Sequence, residues 1–141
     1  MHKIKIYSVG KQKEKWLQEA LAEYETRLTG VLSVERILSK TTPQLELLLD
    51  KQEHFLCLDP EGRQYTSPEF SSSLIHWLTQ QGSRLNFVIG GAEGLPLSLK
   101  RRAAHLLSLF KMTFTHQMTR MILLEQIYRA LEIHKGSSYH K

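Results

Sequence analysis

Three glycines follow closely on a short apolar run in the segment NFVIGGAEGL, residues 86–95. Gly90 and Gly91 permit main-chain geometry that a Cβ atom would forbid, so a flat ligand could lie against bare backbone there. The same glycines could equally form a tight turn from a strand into a helix, with no ligand. Glu93 could accept a hydrogen bond from a ligand, although a structural role in pairing nearby backbone N–H groups is favoured. Taken alone, the glycines leave a ligand site and a structural turn equally open.

A second group of chemically capable side chains stands at the end of the sequence, which reads SSYHK. Tyr139 offers a ring for stacking, His140 an imidazole for proton transfer, and Lys141 a cation for a phosphate group. Unpaired RNA bases are held by such stacking and edge hydrogen bonds. A frayed hydrophilic segment would have the same composition. The pattern therefore indicates RNA contact without excluding a segment that has no function.

Several other chemistries are excluded by spacing. The glycines at 90, 91 and 94 match neither the dinucleotide-binding nor the phosphate-loop pattern. The seven histidines are scattered and Cys57 is the single cysteine, so no metal site is expected. The serine-hydrolase elbow is absent. Cys57 lies among apolar neighbours and is predicted to be a buried, unreactive thiol.

The charge of the chain is unevenly distributed. The formal net charge is +5, and residues 94–141, with eight Lys/Arg and two Glu, carry +6 while residues 1–93 carry −1. This asymmetry favours an anionic partner near the last third of the chain, although a solvated basic face would look the same. No apolar stretch reaches 18 residues and no signal-peptide pattern is present, so we expect no membrane span and a cytoplasmic location.

Strand and helix patterns alternate five times along the sequence, which predicts a single α/β domain over residues 1–141 with a largely parallel sheet. The predicted strands are residues 3–9, 33–38, 54–59, 85–89 and 106–110. The predicted helices are residues 14–28, 43–50, one opened by Ser67 as cap, 98–105, and 116–135 with Thr115 as cap and Gly136 at its end. Ligands of open α/β sheets bind beyond the carboxyl ends of the strands, where the glycine loop lies.

Three motifs in this order resemble the RlmH family: FVIGGAEGL, LFKMTFTHQMTRMILLEQIYRA and the final YHK. The similarity extends over the whole chain from the opening IKIYSVGK. The family consists of small SPOUT-class methyltransferases that modify a pseudouridine in bacterial large-subunit ribosomal RNA. The resemblance implies a SPOUT-type α/β knot, with a deep trefoil knot in the C-terminal part and a mostly parallel sheet flanked by helices. Such knots are otherwise almost absent from folds, so spacing alone would not have suggested one.

The resemblance also implies a cofactor, S-adenosylmethionine, and a homodimer in which one subunit completes the pocket of the other. Apolar residues of the final helix, including Met118, Ile122 and Leu123, suit a dimer interface, although core packing explains them equally well. Carried over by position, the cofactor-binding residues are Leu58, Gly90, Gly91, Leu109, Phe110, Lys111, Met112, Thr113 and Phe114.

The implied reaction is methylation of N3 of a pseudouridine in 23S ribosomal RNA, within the large subunit or the assembled ribosome. The imide proton on N3 must leave, so a general base is expected, and His140 is the candidate, unless solvent removes the proton. Tyr139 would stack on or orient the base, and Lys141 would bind phosphate or stabilise charge on a carbonyl. Arg120 is a further candidate for contact with RNA. The alternative function is a non-catalytic RNA- or ribosome-binding α/β domain whose glycine loop is purely structural.

Overall fold

The computed structural model describes residues 1–10 and 14–141. Its strands form one sheet in the order β2-β1-β4-β3-β5, and every strand pairing found in these ranges is parallel. The predicted α/β class with a largely parallel sheet is therefore confirmed. In chain order the elements are β1 His2–Val9, α1 Lys15–Leu28, β2 Leu32–Ser39, α2 Thr42–Leu49, β3 Leu56–Gln64, α3 Ser67–Gln80, β4 Arg84–Ile89, α4 Leu97–Arg102, β5 His105–Ser108 and α5 His116–Lys135.

Helices cover both faces of the sheet, as its continuous apolar strands require. The larger core lies between the sheet and α1, α3 and α5, with fully buried Leu17, Leu74 and Leu124. The smaller core lies against α2 and α4 and contains Leu45 and Cys57. Burial raises the pKa of the Cys57 thiol to about 12, which agrees with the predicted unreactive cysteine. Among the described helices, none is long and apolar enough to cross a membrane.

Strand β3 extends beyond the predicted range of 54–59. It continues to Gln64, but Leu58 and Arg63 both lie opposite Leu107 of β5, so the four residues of DPEG form a bulge between two stretches of pairing. Gly62 allows this because a Cβ atom there would lie 2.6 Å from the carbonyl carbon of Leu106 in β5. The DPEG signal therefore marks a bulge within β3 and not the end of the strand, because pairing with β5 resumes at Arg63. Strand β5 itself ends at Ser108, which leaves the following residues free to form a loop.

The predicted N-cap of α3 is wrong by one residue. Thr66 is the cap: its Oγ1 accepts the Glu69 backbone N–H at 3.2 Å, and Glu69 Oε1 accepts the Thr66 N–H at 2.8 Å. These two bonds make a capping box. Ser67 instead donates its hydroxyl to Gln126 Oε1 of α5 at 2.8 Å, because it already lies in the first helical turn.

Substituting alanine for Thr66 should lower the free energy of unfolding by about 1 kcal/mol, because the Glu69 amide loses its cap acceptor. Urea denaturation monitored by tryptophan fluorescence measures this change. Ser72→Ala, at an exposed site of the same helix, is the matched control and should shift stability by less than about 0.5 kcal/mol. Equal midpoints for the two variants would contradict the assignment of Thr66 as the cap.

The bounds of α5 agree with the sequence prediction. Thr115 Oγ1 accepts the Met118 N–H at 3.2 Å, and Gly136 ends the helix in the left-handed conformation with φ of 79°. The predicted pair of Glu125 and Arg129 is present, with Nη2 and Oε2 2.9 Å apart. Helix α5 therefore begins beside the carboxyl ends of the strands and runs back across the larger core.

Candidate active site

A cleft of about 560 Å³ lies at the carboxyl ends of β3, β4 and β5. Its wall is drawn from residues 58–60, 89–95 and 107–119, which are the loops that follow these strands and the first turn of α5. Small-molecule sites typically occupy roughly 300–1000 Å³, so the cleft is large enough for a nucleoside-sized ligand. It lies where open α/β sheets place their ligands.

The residues predicted to bind a cofactor converge on this cleft. All of them line it except Lys111, which is exposed and lies outside the wall. Phe110 and Met112 are 55% and 71% exposed, so the loop offers apolar side chains that nothing in the described chain covers. The loop is formed after β5, where the Ser108 hydroxyl donates to the Phe110 carbonyl at 3.0 Å. The predicted cofactor-binding residues that line the cleft are Leu58, Gly90, Gly91, Leu109, Phe110, Met112, Thr113 and Phe114.

The packing of the glycine loop requires a glycine at position 90 whether or not a ligand binds. A Cβ atom at Gly90 would lie 2.7 Å from the carbonyl carbon of Gly94, so only glycine allows the loop to fold this tightly. The loop is closed by the Gly94 N–H, which donates to the Gly91 carbonyl at 3.0 Å. The three atoms nearest to a Cβ atom at Gly91 would all belong to Val9, with Cγ1 at 3.4 Å, an ordinary contact. The turn therefore accounts for Gly90, while the backbone of the loop still forms one wall of the cleft.

Asp59 is a site residue that the sequence analysis placed at a strand end but did not select. Its side chain is 7% exposed and lines the cleft, with Oδ1 3.0 Å from Lys100 Nζ. Its Oδ2 accepts the Glu61 N–H at 3.1 Å. The bond to this carboxylate raises the pKa of Lys100. The sequence signal that could have identified Asp59 is an acidic residue at the end of the apolar run 54–59.

Arg120 does not lie on the surface. Arg120 is only 3% exposed. Its Nη2 donates to the Val9 carbonyl at 2.9 Å, while its Nε and Nη1 have no partner in the described part of the chain. Burial lowers the pKa of the guanidinium. Arg120 projects from the inner face of α5, so this placement argues against the predicted contact with RNA. It links α5 to the end of β1.

The last residues of the sequence pack onto α5. The Tyr139 hydroxyl donates to Glu125 Oε2 at 2.8 Å, and its ring meets Tyr128 edge to face with centroids 4.8 Å apart. Burial and the bond to Glu125 raise the pKa of Tyr139 to about 12, so the phenol stays protonated. Arg129 stacks on the Tyr139 ring and places Nη1 3.1 Å from His140 Nδ1. Within residues 137–141, called the tail, Tyr139 and His140 are thus held by side chains of α5, in contrast to a frayed segment.

The cleft and the tail contact opposite ends of α5. His116, at the start of the helix, lines the cleft, whereas Glu125 and Arg129 hold the tail. At roughly 1.5 Å per residue, His116 and Arg129 are separated by about 20 Å along the helix axis. None of residues 137–141 lines the cleft. Within one chain, the two predicted halves of the site are therefore apart.

Comparison with known proteins assigns the family. The family model described as "Predicted SPOUT methyltransferase" matches residues 2–140. A protein of Protochlamydia amoebophila, named ribosomal RNA large subunit methyltransferase H, is 52% identical over 141 residues, covering 100% of both chains. The chain belongs to the RlmH family of SPOUT methyltransferases. A protein of the same name from Bacillus thuringiensis is 38% identical over 157 residues, covering 98% of this chain and 99% of that one.

The solved structure of a probable methylase family protein from Haemophilus influenzae shares the fold. The TM-score is 0.62 with 9% sequence identity, over 98% of this chain and 70% of that one. The SPOUT-type fold predicted from the three motifs is confirmed by this likeness and by the family model. No group of three or more metal-ligating side chains was found in residues 1–10 and 14–141 of this RlmH-family chain.

One part of the predicted dimer surface belongs to the core. Leu123 is fully buried against the sheet, so it is not available for contact with a second chain. Met118 and Ile122 are half-buried on α5 and keep part of their apolar surface exposed. In this member of the RlmH family, the apolar side chains that stay at least partly exposed are Met118 and Ile122 on α5 and Phe110 and Met112 in the cleft loop.

Proposed function

We propose that this chain is a single-domain enzyme that uses S-adenosylmethionine to methylate N3 of a pseudouridine in 23S ribosomal RNA. The observation that carries the proposal is the cleft, because the positions that the family resemblance assigned to the cofactor meet there. The relatives named for methylation of large-subunit ribosomal RNA, one of them 52% identical over the full length, support the substrate class. The proposed partner is the large subunit or the assembled ribosome, in the cytoplasm.

The residues of the cleft fit S-adenosylmethionine. Leu58, Leu109 and Phe114 offer apolar side chains, and the backbone of the loop after β4 offers N–H and C=O groups to an adenine ring. The Asp59 carboxylate is already paired with Lys100, so it adds no free negative charge for the sulfonium. When bound, S-adenosylmethionine supplies an activated methyl group on a sulfonium, which leaves as a neutral thioether. Binding and orientation are then the main contributions of the cleft.

The tail is proposed to act in the cleft of a second subunit. The side chain of Arg129, which holds the tail, lies about 20 Å along α5 from His116 of the same chain's cleft. A homodimer is therefore the arrangement that brings Tyr139, His140 and Lys141 to a bound methyl donor. The partly exposed apolar residues Met118 and Ile122 suit the interface between the subunits. Tyr139 would stack on the RNA base, His140 would contact its edge, and Lys141 would bind phosphate.

The chemical requirement on the acceptor side is removal of a proton. An N3 nitrogen that still bears its imide proton has no available lone pair, so it must lose that proton before or during methyl transfer. An imidazole is suited to accept it near neutral pH. His140 is the acceptor predicted from the sequence, and Lys141 would stabilise charge that develops on a uracil carbonyl.

Calorimetric titration of the purified protein with S-adenosylmethionine distinguishes the proposed methyltransferase from a non-catalytic RNA-binding domain. The native protein should release heat, and Ala92→Trp should weaken affinity by at least about tenfold because the indole fills the cleft. Ala92 is exposed, so its substitution spares the core, and Ala22→Trp at an exposed site of α1 is the matched control. Absence of heat with the native protein would favour a non-catalytic RNA- or ribosome-binding domain.

The RNA substrate is tested in cells that lack the gene. Mass-spectrometric mapping of 23S ribosomal RNA should show one missing methyl group, on a pseudouridine, which returns when the gene is restored. A complete set of methyl groups would contradict the proposed substrate even if the protein binds S-adenosylmethionine.

A further inference from the structure

The wall of the cleft also contains an imidazole, that of His116. His116 is the first residue of α5 and lines the cleft beside Thr115 and Thr119. Its ring makes no hydrogen bond to any described residue, and neither ring nitrogen is sealed from solvent. A half-buried imidazole with free ring nitrogens at the wall of a ligand cleft is able to bind or to exchange a proton with a ligand.

The surroundings of His116 keep its ring neutral. Burial lowers the pKa of His116 from its ordinary value of 6.5, and the charge of Arg120, one turn further along α5, lowers it again. Glu14, before α1, opposes these effects and is the other described charge that acts on the ring. Gly10 leaves room for the imidazole, since a Cβ atom there would lie 3.3 Å from His116 Nε2. At neutral pH the ring therefore has a nitrogen lone pair available.

His140 is arranged for the opposite role. Arg129 Nη1 lies 3.1 Å from His140 Nδ1, and because a guanidinium has only donor groups, Nδ1 must be the acceptor. In a neutral imidazole whose Nδ1 accepts, the proton resides on Nε2. The nitrogen that His140 turns away from Arg129 is then a hydrogen-bond donor, suited to a carbonyl or phosphate oxygen. It has no lone pair with which to take a proton.

We propose that His116 of the cleft, rather than His140 of the tail, accepts the N3 proton of the RNA base. This inference rests on the proposed function and identifies the general base of that reaction. The proton passes from N3 to a ring nitrogen of His116 as the N3 lone pair forms its bond to the methyl carbon, and the electron pair of the broken carbon–sulfur bond stays on sulfur. The imidazolium then returns the proton to solvent, aided by repulsion from Arg120. His140 donates a hydrogen bond to the base.

His116→Asn separates the two imidazoles. Its single-turnover methylation rate at saturating RNA should fall by a factor of roughly 10² to 10⁴, the usual contribution of a general base, while S-adenosylmethionine affinity measured by calorimetry changes by less than about threefold. His134→Asn, at an exposed position of the last turn of α5, is the matched control and should keep the native rate. Calorimetry also verifies that the variant is folded.

The pH dependence gives a second readout. The native rate should fall as pH drops through the pKa of His116, because protonation removes the accepting lone pair, and this loss should occur below pH 6.5. The acid limb should vanish in His116→Asn and persist in His140→Asn. NMR titration of the apo protein should show the His116 ring protonating below its ordinary value, a measurement that needs no activity.

A native rate in His116→Asn, or loss of the acid limb only in His140→Asn, would overturn the assignment of His116. A ring of His116 that is protonated at pH 7 in the NMR titration would overturn it as well. Failure of the native protein itself to methylate RNA would instead contradict the proposed function, so the two failures are distinguishable.

Discussion

Deletion of residues 137–141 should lower RNA methylation by about a thousandfold, while S-adenosylmethionine affinity stays near its native value. The deletion removes the aromatic ring, the imidazole and the ammonium group proposed to hold the RNA base, but no residue that lines the cleft. Single-turnover kinetics and calorimetry on the same preparation measure the two effects. Ser138→Ala, an exposed position within the tail, should remain fully active. Loss of donor binding in the shortened chain would show that the tail belongs to its own cleft.

Mixing two inactive variants tests whether the tail acts in the partner's cleft. The chain without residues 137–141 has an intact cleft, and Ala92→Trp has an intact tail with a blocked cleft. Random exchange of subunits in an equal mixture should make about half of the dimers mixed. Each mixed dimer has one complete site of its two, so about a quarter of the native activity should return. If each tail served its own cleft, the mixture would remain inactive. A mixture that recovers activity while both variants run as monomers would contradict the dimer.

Local signals in the sequence were sufficient for most of the fold. Apolar patterns, together with proline and cap signals, predicted a strand or helix at the place of each observed element. The bounds of α5 follow from a cap at Thr115 and a left-handed stop at Gly136. Both signals act within one turn of the chain, so no knowledge of the tertiary structure was needed. The cleft residues after β5 came from the resemblance to the RlmH family, because no spacing rule distinguishes 109–114 from an ordinary loop.

The N-cap of α3 was misplaced by one residue within a single turn, but the other failures involve contacts between distant parts of the chain. DPEG forms a bulge and does not end β3, because pairing with β5 resumes at Arg63. The direction of the Arg120 side chain depends on how α5 rotates against the sheet. The anchoring of Tyr139 by Glu125 joins residues 14 positions apart, around the end of a helix. Such contacts carry no local sequence period, which is why the tail could not be distinguished from a frayed one.

The close approach of β3 to β5 at Gly62 leads to the largest loss of stability that we expect. Gly62→Ala would place a Cβ atom 2.6 Å from the Leu106 carbonyl carbon and the Leu107 nitrogen, and 2.7 Å from the Leu107 carbonyl carbon. All three are backbone atoms, so no side chain can rotate away, and β5 must move from β3. The free energy of unfolding should fall by about 3 kcal/mol, a large part of the roughly 5–15 kcal/mol typical of a domain.

Gly91→Ala makes the same chemical change with a different neighbour and is the matched control. Its Cβ atom would meet the Val9 side chain at 3.4 Å, an ordinary contact, so stability should change by less than about 1 kcal/mol. Urea denaturation followed by tryptophan fluorescence compares the two variants. Because Leu107 of β5 lines the cleft, the Gly62 variant should also bind S-adenosylmethionine more weakly under conditions where it remains folded. Equal midpoints for the two variants would show that β3 and β5 do not approach this closely in solution.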